Sequence, residues 1–191
     1  MNVPIVWVMG GPSSGKSTMS QNIVDKYGYK LLSPSELVER EIRSKSVKGV
    51  EFAAKRQEGH EVPLTECVHL LESEIMSNRG SLRGFVIDGY PQNQSDAKIL
   101  EQSIGVPDLI IALEIGQQTA ETRRSVERTT LPSTVSFYMR NAEPVLAQYS
   151  DKIMQIDAEH NSSDIFNDVV PNIDAIAKNY GNPIAISRSS H

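Results

Sequence analysis

The amino-acid sequence predicts an α/β fold in which helices cover both faces of a parallel β-sheet. Two observations lead to this prediction. Short apolar runs recur at residues 5–9, 29–32, 84–87, 109–115 and 153–156, as expected of strands that are buried on both faces. Helical patterns separate these runs, and strands joined by helical crossovers run parallel. Because ligands of such sheets bind at the carboxyl ends of the strands, we expect functional residues just after the runs.

The first run leads into a glycine-rich loop at residues 10–18, G-G-P-S-S-G-K-S-T, which contains the spacing G-x-x-x-x-G-K-[ST]. Its glycines let successive backbone N–H groups point at an anion, and the following helix adds the positive end of its dipole. Lys16 can reach the outer phosphates of a nucleotide, and the Ser17 hydroxyl can ligate magnesium. The pattern predicts nucleotide phosphate binding; the alternative is a strand, a turn and a helix without a ligand. The residues predicted to bind are Gly11, Pro12, Ser13, Ser14, Gly15, Lys16, Ser17 and Thr18.

Three helices are predicted between the second and third runs. Ser33 can cap the first of them. The other two cover residues 47–58 and Leu64–Ser77, and Pro63 restricts the residue before it to extended conformations, so a bend separates them. Helices that follow one another without a strand, across roughly residues 33–78, indicate a helical insertion beside the sheet.

The third run delivers Asp88 to the end of a strand, directly before a glycine. In enzymes with a phosphate loop, an acid at this place holds magnesium directly or through water. The sequence therefore predicts a magnesium site formed by Ser17 and Asp88; the alternative is an Asp that merely begins a turn. The rest of the chain is predicted to supply helices near residues 117–128, 135–149 and 164–179, and a polar tail at residues 182–191.

Length and composition bound the class of protein. A chain of 191 residues suits one domain, and 39% hydrophobic with 23% charged residues is ordinary for a globular protein. A net charge of −5 argues against nucleic acid as a partner, because no basic stripe exists to displace counterions. The lone Cys67 excludes an internal disulfide, and no apolar run approaches the length needed to span a membrane. We therefore expect a cytoplasmic protein.

Several motifs together resemble the nucleoside monophosphate kinases, most closely the cytosolic adenylate kinases, over about residues 5 to 179. The matching pieces are the loop at 10–18, K-Y-G-Y-K-L-L-S at 26–33, G-H-E-V-P-L at 59–64, G-F-V-I-D-G-Y-P at 84–91 and E-P-V-L-A-Q-Y at 143–149. The resemblance implies a three-layer fold of the P-loop NTPase type, with a five-stranded sheet in the order 2-3-1-4-5. It implies one domain with a core at 1–32 and 79–181, a monophosphate-binding part at about 33–78 and a lid at about 128–134. It further implies a monomer that transfers the γ-phosphoryl group of Mg-ATP to a nucleoside monophosphate.

The resemblance also assigns roles to individual residues. Lys16, Arg123 and Arg128 are implied as catalytic residues, with Arg123 lying against the adenine of ATP; the alternative for Arg123 is a solvated charge without a nucleotide role. The residues implied to hold the acceptor monophosphate are Ser35, Arg40, Val62, Gly89 and Gln92.

The chain departs from the family at positions where adenylate kinases carry arginine. Glu39 and Gln92 stand where the family has two arginines that bind the acceptor, and Arg40, one helical step further, points about 100° away. Asp96 stands where the family has a Gln that reads the acceptor base; it is interpreted as a solvated turn residue, with recognition of a guanine edge as the alternative.

The predicted lid also lacks arginines that the family carries. Glu127 and Thr134 replace family arginines, and five residues at 129–133 bridge the flanking helices. A bridge this short can scarcely close over a triphosphate and exclude water.

Two hypotheses of different classes follow from these departures. One is a nucleoside monophosphate kinase whose activity is weak or whose acceptor is altered. The other is a nucleotide-binding pseudokinase that acts through a protein partner. A further phosphate-loop activity, such as slow ATP hydrolysis, stays open beside them.

Overall fold

The computed structural model describes residues 3–78, 80–127 and 135–181, and these form five parallel strands and eight helices. The strands are β1 (Ile5–Gly10), β2 (Lys30–Leu32), β3 (Phe85–Asp88), β4 (Leu109–Glu114) and β5 (Ile153–Asp157). They pair in the order β2-β3-β1-β4-β5, so the predicted sheet is confirmed. In the centre, Trp7 of β1 lies between Ile87 of β3 and Ile110 of β4.

The helices begin and end close to the predicted positions, with one addition. They are α1 (Lys16–Tyr27), α2 (Pro34–Ser44), α3 (Val47–Gln57), α4 (Leu64–Ser77), α5 (Gln94–Ser103), α6 (Gln117–Glu127), α7 (Val135–Gln148) and α8 (Ser162–Asn179). A helical crossover was expected between β3 and β4, but no bounds were predicted for α5. It is mostly polar and buries only Asp96, Ala97 and Leu100, so its apolar pattern is short. The capping residue Asn93, which accepts a hydrogen bond from the Asp96 N–H, was the available signal.

The side chains of the sheet belong to two hydrophobic clusters, one on each face of the sheet. Alternation along β1 sends Trp7 and Met9 into one cluster and Val6 and Val8 into the other. The first cluster takes its helical residues from α2, α3, α4, α5 and α7, and the second takes them from α1, α6 and α8. Helices therefore cover both faces, and the fold is the three-layer α/β arrangement expected from the sequence.

The predicted run of helices between β2 and β3 is present as α2, α3 and α4, with no strand in residues 34–77, all of which are described. Ion pairs join them: Glu39 of α2 pairs with Arg56 of α3, and Lys55 of α3 pairs with Glu66 of α4. Glu74 of α4 pairs with both Arg40 of α2 and Lys30 of β2, at 2.5 Å each. These pairs connect the three helices with one another and with the sheet.

Two predicted segments, the lid at 128–134 and the polar tail at 182–191, lie outside the described residues. None of the helices in the described ranges is both long enough and apolar enough to cross a membrane.

Candidate functional site

The loop between β1 and α1 forms a tight backbone turn that requires its glycines. Gly15, directly before α1, has a φ of 90°, in the left-handed region that glycine adopts without strain. A Cβ on Gly10 would lie 2.3 Å from the Ser14 Oγ and 3.0 Å from the Leu113 carbonyl oxygen. Lys16 donates from its Nζ to the Gly11 carbonyl, 2.8 Å away, so its ammonium group lies across the loop. The predicted residues of the loop are thus folded around one small space at the end of β1.

The hydroxyl of Ser14 lies buried in this loop without a hydrogen-bond partner. Ser14 is 3% exposed. A buried polar group that stays unpaired costs about 1–3 kcal/mol, so such groups point to a missing partner. An anionic oxygen of a bound phosphate fits this place, because a hydroxyl can donate to it.

Asp88 lies beside the loop because β3 pairs with β1 in a register that sets Val8 opposite Asp88. One carboxylate oxygen accepts a hydrogen bond from the Ser17 hydroxyl, and the other accepts one from the Ser20 hydroxyl, at 3.0 Å each. Ser17 and Asp88 are therefore brought together as the sequence predicts. Sequence reasoning missed Ser20; its spacing of three residues from Ser17, which places both on one helical face, could have revealed it.

These groups fit a hard cation that is held partly by a nucleotide. A carboxylate and a hydroxyl are oxygen ligands of the kind that Mg²⁺ prefers. Among the described residues no group of three His, Cys, Asp or Glu side chains could hold a metal ion. Magnesium that keeps several waters and is bound by one carboxylate plus substrate phosphates needs no such group.

A cavity of about 300 Å³ opens beside the loop. Its walls come from the loop, from α1, from α6 and from the segment between β5 and α8. The lining residues are Ser13, Ser14, Gly15, Thr18, Met19, Asn22, Leu113, Arg123, Ala158, His160, Ser162 and Ile165. A cavity of this size is at the lower end of the range for small-molecule sites.

Arg123 of α6 lines this cavity and connects two of its walls. The guanidinium group donates to the Ser13 carbonyl at 3.3 Å and to the Ala158 carbonyl at 2.9 Å. Ser13 belongs to the loop, and Ala158 follows β5. Arg128, the other predicted arginine of this helix, lies outside the described residues.

Sequence reasoning missed the residues that follow β5. Glu159 accepts hydrogen bonds from the Gly116 N–H at 2.7 Å and from the Thr119 hydroxyl at 2.6 Å. These bonds lower the pKa of the Glu159 carboxyl, that from Thr119 most and that from Gly116 next. Ala158, His160 and Ser162 line the cavity. Their position just after a strand of the parallel sheet was the signal available in the sequence.

Of the residues implied for an acceptor, Arg40 and Val62 are engaged in contacts among residues 34–77, whereas Gly89 adjoins the loop. Arg40 is held by Glu74, and Glu39 is held by Arg56. Val62 is buried in the hydrophobic cluster. Gly89 has a φ of 76°, and a Cβ there would lie 3.6 Å from the Lys16 Cε, so this residue adjoins the loop.

Comparison with known proteins gives one consistent result. The model of the adenylate kinase family matches residues 8–154. Adenylate kinase 1 of Drosophila melanogaster is 33% identical over 93% of this chain and 82% of its own length. Adenylate kinase isoenzyme 1 of Homo sapiens is 31% identical over 90% of this chain and 95% of its own length, and that of Cyprinus carpio is 30% identical over the same shares. This chain belongs to the adenylate kinase family.

Within this adenylate kinase family member, Asp96 differs from the prediction. It was expected to be a solvated turn residue, but it is 8% exposed and lies in the first turn of α5. Its carboxylate accepts the Gln92 N–H at 3.0 Å, while its own N–H donates to the Asn93 side chain at 2.9 Å. The two bonds form a reciprocal cap at the start of the helix. Burial raises the pKa of Asp96, the bond from Gln92 opposes this rise, and the charge of Glu61 adds to it.

Ser35 and Gln92 also take part in the local structure around the predicted acceptor site. Ser35 is hydrogen-bonded to the Tyr90 hydroxyl; burial raises the pKa of that tyrosine, and the bond to Ser35 opposes the rise. The backbone of Gln92 is held by Asp96. Arg40, which follows the position of a replaced arginine, has its guanidinium group ion-paired with Glu74.

Proposed function

We propose that this adenylate kinase family member binds Mg-ATP at the loop of residues 10–18 and transfers the γ-phosphoryl group to a nucleoside monophosphate, more slowly than relatives with a full set of arginines. The observation that carries the proposal is the loop itself. Its glycines allow the turn, Lys16 lies across it, and the Ser14 hydroxyl is buried there without a partner. The similar proteins of Drosophila melanogaster and Homo sapiens are adenylate kinases, which supports the same reaction class.

The proposed roles follow from charge and position. Lys16 would stabilise the charge that spreads over the oxygens of the moving phosphoryl group. Gly11, Pro12, Ser13, Gly15 and Thr18 would complete the cradle for the phosphates with Ser14, Lys16 and Ser17. Ser17 and Asp88 would hold magnesium, which, when bound, neutralises charge on the outer phosphates. Arg123 would lie against the adenine, since it lines the cavity beside the loop.

The reduced rate follows from the acceptor side. Each transition-state cation or oxyanion donor that is removed slows chemistry by roughly a hundred- to a thousandfold, although such losses do not simply multiply. Glu39 and Gln92 replace two cations, and Arg40 is paired with Glu74. Within one domain, the helices at about residues 33–78 would hold the acceptor through Ser35, Val62 and Gly89. Residues 128–134 would form a short lid carrying Arg128, in a cytoplasmic monomer.

A second function is a nucleotide-binding pseudokinase that acts through a protein partner. The ion pairs of α2 favour this function. Glu39 pairs with Arg56, and Arg40 pairs with Glu74, so the charges of Glu39 and Arg40 on the predicted acceptor side are already neutralised. An acceptor dianion would have to break such a pair before it could use the guanidinium group.

A coupled assay of ADP formation separates the two functions. It measures turnover with AMP, CMP, UMP and GMP, beside calorimetric titration of ATP with and without magnesium. Turnover of roughly 10 per second with any acceptor is ordinary for a kinase and would exclude the pseudokinase. Tight ATP binding without turnover for any acceptor would favour it. Lys16→Met serves as the control: if this variant keeps the affinity of the original chain for ATP, the proposed loop site is wrong.

A further inference from the structure

The segment between β5 and α8 is short and fixed at both ends. It comprises residues 158–161. The Ala158 N–H continues the sheet pairing by donating to the Glu114 carbonyl at 2.8 Å, and the Glu159 N–H donates to the Asp157 carboxylate at 2.9 Å. Asn161 caps α8 by accepting from the Ser163 N–H at 3.0 Å. The backbone that carries Glu159 therefore has little freedom of its own.

From this fixed segment the Glu159 carboxylate reaches the amino end of α6. Its two oxygens are used separately, one by the Gly116 N–H and the other by the Thr119 hydroxyl. The Gly116 carbonyl accepts the first hydrogen bond of the helix, from the Ala120 N–H at 3.0 Å. A carboxylate at this end meets unpaired N–H groups and the positive end of the helix dipole. A Cβ on Gly116 would lie 3.3 Å from the Glu159 Oε1, so the absence of a side chain at residue 116 leaves room for the carboxylate to approach the helix.

Arg123 lies one turn beyond Thr119 on the same helix, and residues four apart share a face. Its guanidinium group donates to the carbonyl of Ala158, the residue next to Glu159, and its charge contributes to the lowered pKa of Glu159. Helix α6 is thus attached to the same short segment at two successive residues. Two attachments one turn apart restrict both sliding and rotation of the helix, which a single contact would not.

We propose that Glu159 is a positioning residue for the nucleotide base: by holding the amino end of α6, it fixes the place of the Arg123 guanidinium in the cavity beside the loop. The inference rests on the proposed function, because it requires ATP in that cavity. Glu159 itself touches neither the phosphate loop nor the predicted metal ligands through any bond described above. Its removal therefore acts on the part of the ligand that Arg123 faces, and the phosphate contacts of Lys16 and the loop are retained.

The test compares two ligands in calorimetric titrations with magnesium: ATP, which has a base, and inorganic triphosphate, which has none. We expect Glu159→Ala to weaken ATP binding about tenfold and to change inorganic triphosphate binding by less than about twofold. Glu159→Gln should give an intermediate loss, because the amide oxygen can accept one of the two bonds without carrying the charge. Glu121→Ala is the matched control, since Glu121 is an exposed acid on the same helix that bonds to Gln117 within it.

A double-mutant cycle shows whether the effect passes through Arg123. In a chain that already carries Arg123→Ala, Glu159→Ala should cause no further loss of ATP affinity. Equal losses with and without Arg123, or equal losses for ATP and inorganic triphosphate, would overturn the positioning role. Thermal unfolding accompanies each variant; because Glu159 is exposed, the midpoint should shift by no more than a few degrees.

The outcomes also separate this inference from the proposed function. If the original chain binds ATP but Glu159→Ala binds it equally well, the positioning role alone is wrong. If the original chain binds neither ligand, both proposals are wrong.

Discussion

The two sides of β3 use charge in opposite ways. On the side of β1 and α1, Lys16 lies across a glycine loop, where an incoming phosphate would meet it, and Asp88 is bonded to hydroxyls. On the side of α2, α3 and α4, Arg40, Lys55 and Arg56 each pair with a carboxylate of a neighbouring helix. The helices and strands expected of an adenylate kinase family member are present on both sides. The difference between them lies in the side chains: on the loop side they surround the proposed phosphate site, and on the helical side their charges join helices.

This difference has a simple electrostatic meaning. A phosphate that enters the loop would meet the Lys16 ammonium group, which donates to the Gly11 carbonyl of the loop. A phosphate that enters between the helices must compete with carboxylates that already contact the guanidinium groups. The negative charge of these carboxylates would also repel the phosphate. We therefore expect substitutions in the loop to have much larger effects on nucleotide binding and turnover than substitutions among the helices.

The largest effect is expected at Asp88. Asp88→Asn removes the charge that would hold magnesium while it keeps a side chain of the same size. Turnover should fall by roughly a hundredfold or more, and magnesium should no longer strengthen ATP binding in calorimetric titrations. The matched control is Ser20→Ala, which removes one hydrogen bond to Asp88 and leaves the carboxylate in place. Unchanged dependence on magnesium in Asp88→Asn would contradict the assignment of the metal site.

A backbone change in the loop should rank second. In Gly10→Ala the new methyl group would collide with the Ser14 Oγ and press on the Leu113 carbonyl. Such overpacking costs about 1–3 kcal/mol, which corresponds to a roughly five- to 150-fold loss of ATP affinity if the loop must distort. Adding Ser14→Ala should raise the thermal unfolding midpoint of Gly10→Ala, because it removes the closer of the two contacts, but it should not restore ATP affinity, since it also removes the hydroxyl proposed to donate to the phosphate.

The control for this substitution is Gly80→Ala, because a Cβ at Gly80 meets nothing within 4 Å. It should leave ATP affinity unchanged. If Gly10→Ala binds ATP as well as Gly80→Ala does, close packing of the loop against β4 is not what shapes the phosphate site.

The loop side of the molecule could be predicted from the sequence because its determinants are local. The loop spacing, the apolar runs and the carboxylate at the end of β3 each lie within a few consecutive residues, and parallel pairing then brings Asp88 to the loop. The signals for helix α5 are local too, but the helix has few apolar residues. Predicting its position therefore required recognition of the cap formed by Asn93 and Asp96.

The ion-paired side could not be predicted, because its contacts join residues far apart in the chain. Arg40 and Glu74, for example, are 34 residues apart. A substitution such as Glu39 shows from sequence that a cation is missing, but the partner that stabilises the new carboxylate, Arg56, emerges only when α2 and α3 pack. Helical periodicity indicates which faces are buried, and it does not indicate which charges meet.

A smaller effect is expected when cations are returned to the helices. Glu39→Arg with Gln92→Arg should tighten AMP binding, and the structure adds a condition: Glu39→Arg alone places a second cation beside Arg56. We therefore expect the triple variant with Arg56→Glu to gain the most, about tenfold in calorimetric affinity for AMP. Glu72→Gln, which raises the net charge by one as the triple variant does but elsewhere on the helices, should gain almost nothing. If the two give equal affinities, net charge rather than position explains the gain, and the placement of the acceptor phosphate is wrong.

The smallest effect concerns stability and tests whether the helical ion pairs hold the fold rather than a ligand. Glu74 is 15% exposed and pairs with both Lys30 and Arg40, and its bonds to Lys30 and then Arg40 lower its pKa. A group whose pKa is lower in the folded chain stabilises the fold above its unfolded pKa of about 4.3, and that contribution is lost as pH falls through the folded value. Glu74→Gln should therefore reduce the free energy of unfolding in urea by about 1 kcal/mol at pH 7, and the difference from the original chain should shrink as pH falls below about 4. Glu72→Gln, an exposed position on the same helix, should change stability by less than about 0.5 kcal/mol. A difference between Glu74→Gln and the original chain that stays constant from pH 7 down to acid would mean that packing of the side chain, and not its charge, joins α4 to β2.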